Sequence, residues 1–277
     1  MGMSVRPSRA LFAAAMIGLG INALIYGNWS LTWVEIPKAF PGRAAIIYVC
    51  GVIALATGIG LLLRTSVTFA CRVLLPCMLL WLAFLKLPGV VRHPLQEVRW
   101  ESFGETAVLT AGAWCLFAAH AGIWERRHLR FAVGESGIRA ARLLLIAALP
   151  MFGLSHFAYL DNTATLVPKW LGSPVGWAYL TGSASLAAAA GMLFGIYPRL
   201  AANLEAAMLW IFTLLVWVPK VAPMPGDEEI WSEFLLSGAI AAGTWLVADT
   251  YRSAPWRATG KAARAISFDS NESIGPH

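Results

Sequence analysis

Apolar residues run along this chain in long stretches, and polar residues are confined to the gaps between them. Eight stretches, near 10–27, 44–63, 67–87, 103–123, 139–160, 174–197, 201–222 and 231–250, are long enough to cross a hydrocarbon core of about 30 Å as α-helices. The pattern also repeats. Pro37-Lys38 recurs as Pro168-Lys169, 131 positions on, and the same offset carries Tyr48 onto Tyr179, Gly51 onto Gly182, Gly60 onto Gly191, Pro88 onto Pro219, Trp100 onto Trp231 and Gly112 onto Gly243. Further upstream Gly20 aligns with Gly153 at a spacing of 133, which places a two-residue adjustment in the connection after the first stretch. A repeat of this kind fixes the architecture. The expected fold is an all-α polytopic membrane protein, eight transmembrane helices arranged as two tandem four-helix units in the same orientation. The expected divisions are a first unit over 1–125, a basic linker over 126–138, a second unit over 139–252 and a polar, unpacked tail over 253–277.

Within each unit the second span is rich in Gly and Ala, which lets membrane helices approach closely, so Gly60 and Gly191 read as helix contacts. The third span is expected to end at Pro88 or Pro219. A loop with Pro94 or Pro225 follows, and Trp100 or Trp231 opens the fourth span as an interfacial anchor. A parallel repeat of this kind differs from the inverted repeats frequent in transporters.

Composition decides between a membrane and a buried core. Hydrophobic residues make up 58% and charged residues 13%, against about 25% charged in soluble domains. The basic residues then set the orientation. Sorting the connections alternately puts thirteen Lys and Arg on one side, among them Arg6, Arg9, Arg64, Arg130 and Arg142, and seven on the other. By the positive-inside rule the first side is cytoplasmic, so both termini are expected inside a bacterial inner membrane. The net charge of +6 is accounted for by this anchoring and calls for no nucleic-acid partner. Arg6 and Arg9 before an apolar run resemble a signal peptide. The second unit has a matching helix at 139–160, however, so the first span is expected to be retained.

The third span of the first unit, Leu80-Trp81 through Leu87-Pro88, leads to His93-Pro94, Trp100 and the small-residue run Ala111-Gly112-Ala113. Gly153-Leu154-Ser155-His156-Phe157 and the Gly-containing span after Tyr179 match in the second half. Together these resemble the DoxX-like family of small four-helix membrane proteins, here as a tandem duplication covering about 8–120 and 140–250. The resemblance implies a four-helix unit and, by what is linked to some members, quinone-coupled sulfur oxidation. Relatives often carry a His two residues before the third-span proline; this chain has Lys86 and Trp217 there.

Candidate chemistry is sparse. Cys50, Cys71, Cys77 and Cys115 all fall in spans and form no C-x-x-C, so they read as small apolar residues rather than a thiol relay. His156 lies inside an apolar span, where polar groups are costly and face the bundle interior. It either orders the bundle or contacts a quinone or other small ligand. No second mid-membrane His is present for bis-His haem, and no phosphate loop, zinc pattern or nucleophile elbow occurs; neither metal nor haem is expected. Glu101 and Glu105 stand four apart on one helical face and are not repeated, Ser232 and Leu236 taking the matching positions. Lys86 lies at a similar depth. Lys86, Glu101, Glu105 and Trp100 are therefore expected to converge near the outer face, either with a Lys86–Glu105 ion pair or as a ligand-binding or proton-handling site. Lys38 and Lys169 follow proline in equivalent outer connections and are candidates for binding an anion. Three functions remain open: an accessory or small-ligand-binding component with a membrane-protein partner, a quinone-linked oxidoreductase subunit, and a small-molecule transporter.

Overall fold

A computed structural model describes residues 6–27 and 41–259. The described residues hold seven helices long and apolar enough to cross a membrane. In chain order the helices are α1 (Pro7–Tyr26), α2 (Arg43–Leu62), α3 (Val67–Trp81), α4 (Leu87–Arg92), α5 (Glu97–His120), α6 (Ile123–His128), α7 (Gly134–Ala158), α8 (Leu160–Leu166), α9 (Pro174–Phe194), α10 (Pro198–Phe212), α11 (Val218–Val221) and α12 (Glu228–Ala248). The eighth long helix is α5, which carries Glu97, Arg99, Glu101 and Glu105 in its first half. Side chains such as Phe69, Phe84, Leu180, Phe194, Leu204 and Leu214 are exposed on the flanks, an apolar surface suited to lipid rather than water.

The third span does not stop at its proline. A π-helical segment, Leu82–Lys86, joins α3 to α4, and a second, Thr213–Trp217, joins α10 to α11, again 131 positions on. The Leu87 amide reaches back to Leu82 O. Pro88, which has no N–H to donate, follows at the start of α4, so the helical path continues to Arg92. The fourth span likewise starts earlier than its apolar run, at Glu97, because acids are favoured in a first turn.

Small residues set the closest helix contacts. A Cβ built on Gly20 of α1 would lie 2.7 Å from Gly51 O of α2, and one on Gly153 of α7 would lie 2.8 Å from Gly182 O of α9. Gly60 packs on Ala70, and Gly191 on Ala201. Gly112 of α5 meets its own counterpart, Gly243 of α12, with a built Cβ 2.9 Å from Gly243 Cα. The Trp100 indole donates to Pro94 O at 2.9 Å, and the Trp231 indole to Pro225 O at the same distance. The contacts pair α1 with α2 and α12, and α7 with α9 and α5, while α5 and α12 meet at the centre.

The expected basic linker, 126–138, takes in the end of α6 and the first residues of α7. The first residues of the expected tail also pack. Tyr197 N donates to Ala258 O at 2.9 Å, Arg199 Nη1 donates to Ala254 O at 3.1 Å, and the Arg199 guanidinium stacks over Trp256. Ala254 and Ala258 are buried. These backbone bonds hold a turn in which the non-glycine Tyr197 has φ 49°. Apolar periodicity does not foretell this contact, because a backbone bond and one arginine side chain make it. Residues 260–277, with the remainder of the expected tail, lie outside the described residues.

Candidate functional site

Lys86 is the last residue of the first π-helical segment and is 2% exposed. A π turn widens the helix and re-aims the side chains within it, and this one turns Lys86 inward onto α5. Its Nζ donates to Ser102 Oγ at 2.6 Å. Three acids follow one face of α5 at helical spacing, Glu97, Glu101 and Glu105. Glu105 lies within electrostatic reach of Lys86, Glu97, Glu101 and Glu233, the last from α12. Its Oε2 is buried with no hydrogen-bond partner among the described residues, as are both carboxylate oxygens of Glu97. Glu101 lies against Ser155 of α7, whose hydroxyl gives its proton to Phe152 O at 2.8 Å. The expected grouping of Lys86 with Glu101 and Glu105 is therefore present, and it is larger than expected, because Glu97 and Glu233 join it.

Trp100, expected in this group, and His156, a separate candidate, have partners of their own. Trp100 spends its indole N–H on Pro94 O and closes the turn into α5 as Trp231 does into α12, so it belongs to the scaffold. His156, half-buried near the end of α7, bonds Phe152 O through Nδ1 at 2.7 Å and stacks with Phe212 of α10, ring centres 6.3 Å apart. Since a carbonyl only accepts, Nδ1 carries the proton, and neutral His156 offers an acceptor at Nε2. Such a nitrogen receives an O–H; it does not donate to a quinone carbonyl. Of the candidate anion-binding pair, Lys169 is exposed in a short 3₁₀ turn, Lys169–Leu171, and Lys38 lies outside the described residues.

A polar link binds each of the two helix pairs at this level. Asn22 Nδ2 of α1 donates to Ser232 Oγ of α12 at 2.7 Å. The corresponding positions, Ser155 on α7 and Glu101 on α5, are also in contact; 155 − 22 = 133 and 232 − 101 = 131. Glu101 is thus an acid placed where the other half uses a serine.

A further acid, Glu205, stands on α10. It lies two turns inside, 2% exposed, and accepts from Ser185 Oγ of α9 at 2.9 Å. Its position is set by packing of α9 on α10, which a linear reading does not supply. The cysteines are free. Cys50 of α2 comes within electrostatic range of Cys77 of α3 and bonds Trp81, a proximity between helices that sequence spacing does not indicate. Among the described residues no group of three or more His, Cys, Asp or Glu is placed to hold a metal ion.

A family model described as a domain of unknown function (DUF8561) matches residues 145–221, which run from α7 through α11. No curated protein and no solved structure matches the chain.

Proposed function

We propose that this chain is an integral membrane protein of DoxX-like type, a small-ligand-binding or accessory component built as two tandem four-helix units of eight spans in the same orientation. Both termini are cytoplasmic in this reading, and the membrane is a bacterial inner membrane. The paired Gly contacts, π-helical segments and Trp–Pro bonds at a constant offset support the duplication. The positive-inside count supports the orientation.

The observation that carries the functional part is the buried Lys86–Ser102 pair beside Glu105. Ionisable residues at such depth are costly and mark a ligand or proton path by default. Here they break a repeat that the scaffold residues obey. The site has hydrogen-bond acceptors in excess: Glu97, Glu101, Glu105 and Glu233 stand against the Lys86 ammonium, with Lys220 in reach of Glu233. It suits a small ligand that donates hydrogen bonds or carries positive charge. A quinone-linked oxidoreductase subunit is the second reading, and the acceptor at His156 Nε2 favours a quinol hydroxyl over a quinone carbonyl within it. A small-molecule transporter would use the same acids.

The test is Glu105→Gln in the full chain, purified from membranes, with mass spectrometry of co-purifying small molecules and lipids. The reading expects the substitution to change retention of a specific small molecule while the protein stays folded. Lower thermal stability with unchanged retention would make the cluster purely structural.

A further inference from the structure

At the other end of the bundle lies an open cavity of about 680 Å³. α1, α3 and α7 begin there, and α2, α5 and α12 end there. Three positive and three negative helix ends cancel to first order, so the charge of the cavity rests on side chains. Arg6 and Arg9 from α1, Arg64 from the α2–α3 connection and Arg142 from α7 line it, against the carboxylates Glu135 and Asp249. Asp249 already accepts from Ser8 Oγ at 2.7 Å and pairs with Arg252 at 2.8 Å. His120 adds no positive charge. Its Nδ1 bonds Leu116 O at 2.9 Å, so the proton is there, and Nε2 accepts from Arg9 Nη1 at 3.0 Å.

Topological anchoring alone explains arginines exposed at one end of the bundle, as Arg126 and Arg127 of α6, Arg130 of the following turn and Arg139 of α7 all are. Arg9 and Arg142 are different. They are half-buried and occupy corresponding positions, 142 − 9 = 133, the offset of Gly20 and Gly153. Each is braced by a ring at corresponding positions, 251 − 120 = 131: Arg9 by His120, Arg142 over Tyr251 with its guanidinium carbon 4.0 Å from the ring centre. Arg142 is held further by Thr250, through Nε to the hydroxyl at 2.8 Å and through Nη2 to the carbonyl. Cys115 and Leu246, also equivalent, share the lining. The cavity thus sits where the two halves meet, flanked by two fixed guanidinium groups. Arg9 Nε is buried there with no hydrogen-bond partner among the described residues, a charged donor in want of an acceptor.

We propose that this cavity is a phosphate-binding site in which Arg9 and Arg142, with Arg64 at the rim, hold the phosphate of a phospholipid headgroup or of a soluble phosphate ester. Guanidinium groups supply the planar donor pairs that match phosphate oxygens, and basic pockets between membrane helices are suited to anionic headgroups. The site is independent of the acids at the opposite end.

The experiment uses the full chain in a phosphate-free maltoside detergent, titrated separately with short-chain phosphatidylglycerol and with glycerol 3-phosphate, binding being read by native mass spectrometry. Binding of either supports the site, and the tighter of the two names its source. Arg9→Gln should weaken binding about tenfold or more, the loss expected for a charge-assisted hydrogen bond. Arg64→Gln should weaken it less, and serves with Arg9→Gln should Arg142→Gln fail to fold without its Thr250 bonds. Exposed Arg130→Gln should leave binding unchanged, as should Glu105→Gln. Failure of both probes to bind, an unaffected Arg9→Gln, or an equal loss in Arg130→Gln would overturn the proposal.

Discussion

Glu125, in the short helix between the two halves, accepts from Gly122 N–H at 2.9 Å and pairs with Arg72 of α3. The Arg72 hydrogen bond, against the opposing effect of burial, holds its carboxyl below the ordinary value of 4.5. A depressed carboxyl contributes stability that is present above its unfolded value and is lost as pH falls through its folded one. Thermal melts of detergent-solubilised protein from about pH 6 to pH 3 should show the wild type losing stability in the acid range. Glu125→Gln, less stable near neutrality, should lack that part of the loss; identical acid limbs would remove Glu125 as a contributor. Arg72 could be counted in the sequence but not assigned, since its partner comes from beyond the end of the neighbouring α5. The same limit hid part of the candidate site. Lys86, Glu101 and Glu105 are visible because each breaks the repeat. Glu97 stands where the other half has Glu228, so it obeys the repeat and drew no notice. Glu233 corresponds to Ser102, so matching acid against acid passes it by, although the two halves place their acids one residue apart on facing helices.

Helices were the most legible level, since long apolar runs separated by short polar gaps admit few alternatives. Their ends were less so. The apolar run of α5 begins after its acids, and the π-helical segments carry two helices through prolines that read as stops. Helix contacts were legible wherever glycine recurs. A methyl added at Gly20 would come within 2.6 Å of Leu55 N and 2.7 Å of Gly51 O, and one at Gly153 within 2.8 Å of Gly182 O. These are backbone atoms and cannot swing aside, so α1 must part from α2, or α7 from α9. Gly20→Ala and Gly153→Ala should each destabilise the protein by about 1–3 kcal/mol, the usual cost of overpacking. Gly226, with nothing near its built Cβ, is the control, and Gly226→Ala should leave the melting temperature unchanged. Equal melting temperatures for Gly20→Ala and Gly226→Ala would remove close glycine packing from the account of the fold.

At the scale of the whole molecule, the two halves share more than sequence. Gly112 meets Gly243, Arg9 and Arg142 flank one cavity, and Asn22–Ser232 and Ser155–Glu101 join corresponding helices. Residues that touch their own counterparts lie near an axis relating the halves. α1 and α7 both start at the arginine-lined end, as the proposed parallel arrangement of the halves expects. This arrangement requires an even number of crossings with Arg130 on the same side as both termini. At the opposite end the Tyr26 hydroxyl at the close of α1 bonds Gly226 O in the loop before α12, at 3.3 Å, and Pro94 lies in the matching loop before α5. Reporter fusions or cysteine-accessibility labelling at Arg130 should therefore give a cytoplasmic signal, and at Pro94 and Gly226 an outside one. Pro94 and Gly226 on opposite sides would break the parallel relation of the halves. An outside signal at Arg130 with inside signals at both others would keep the relation and reverse the orientation, leaving the arginine cavity facing away from the cytoplasm.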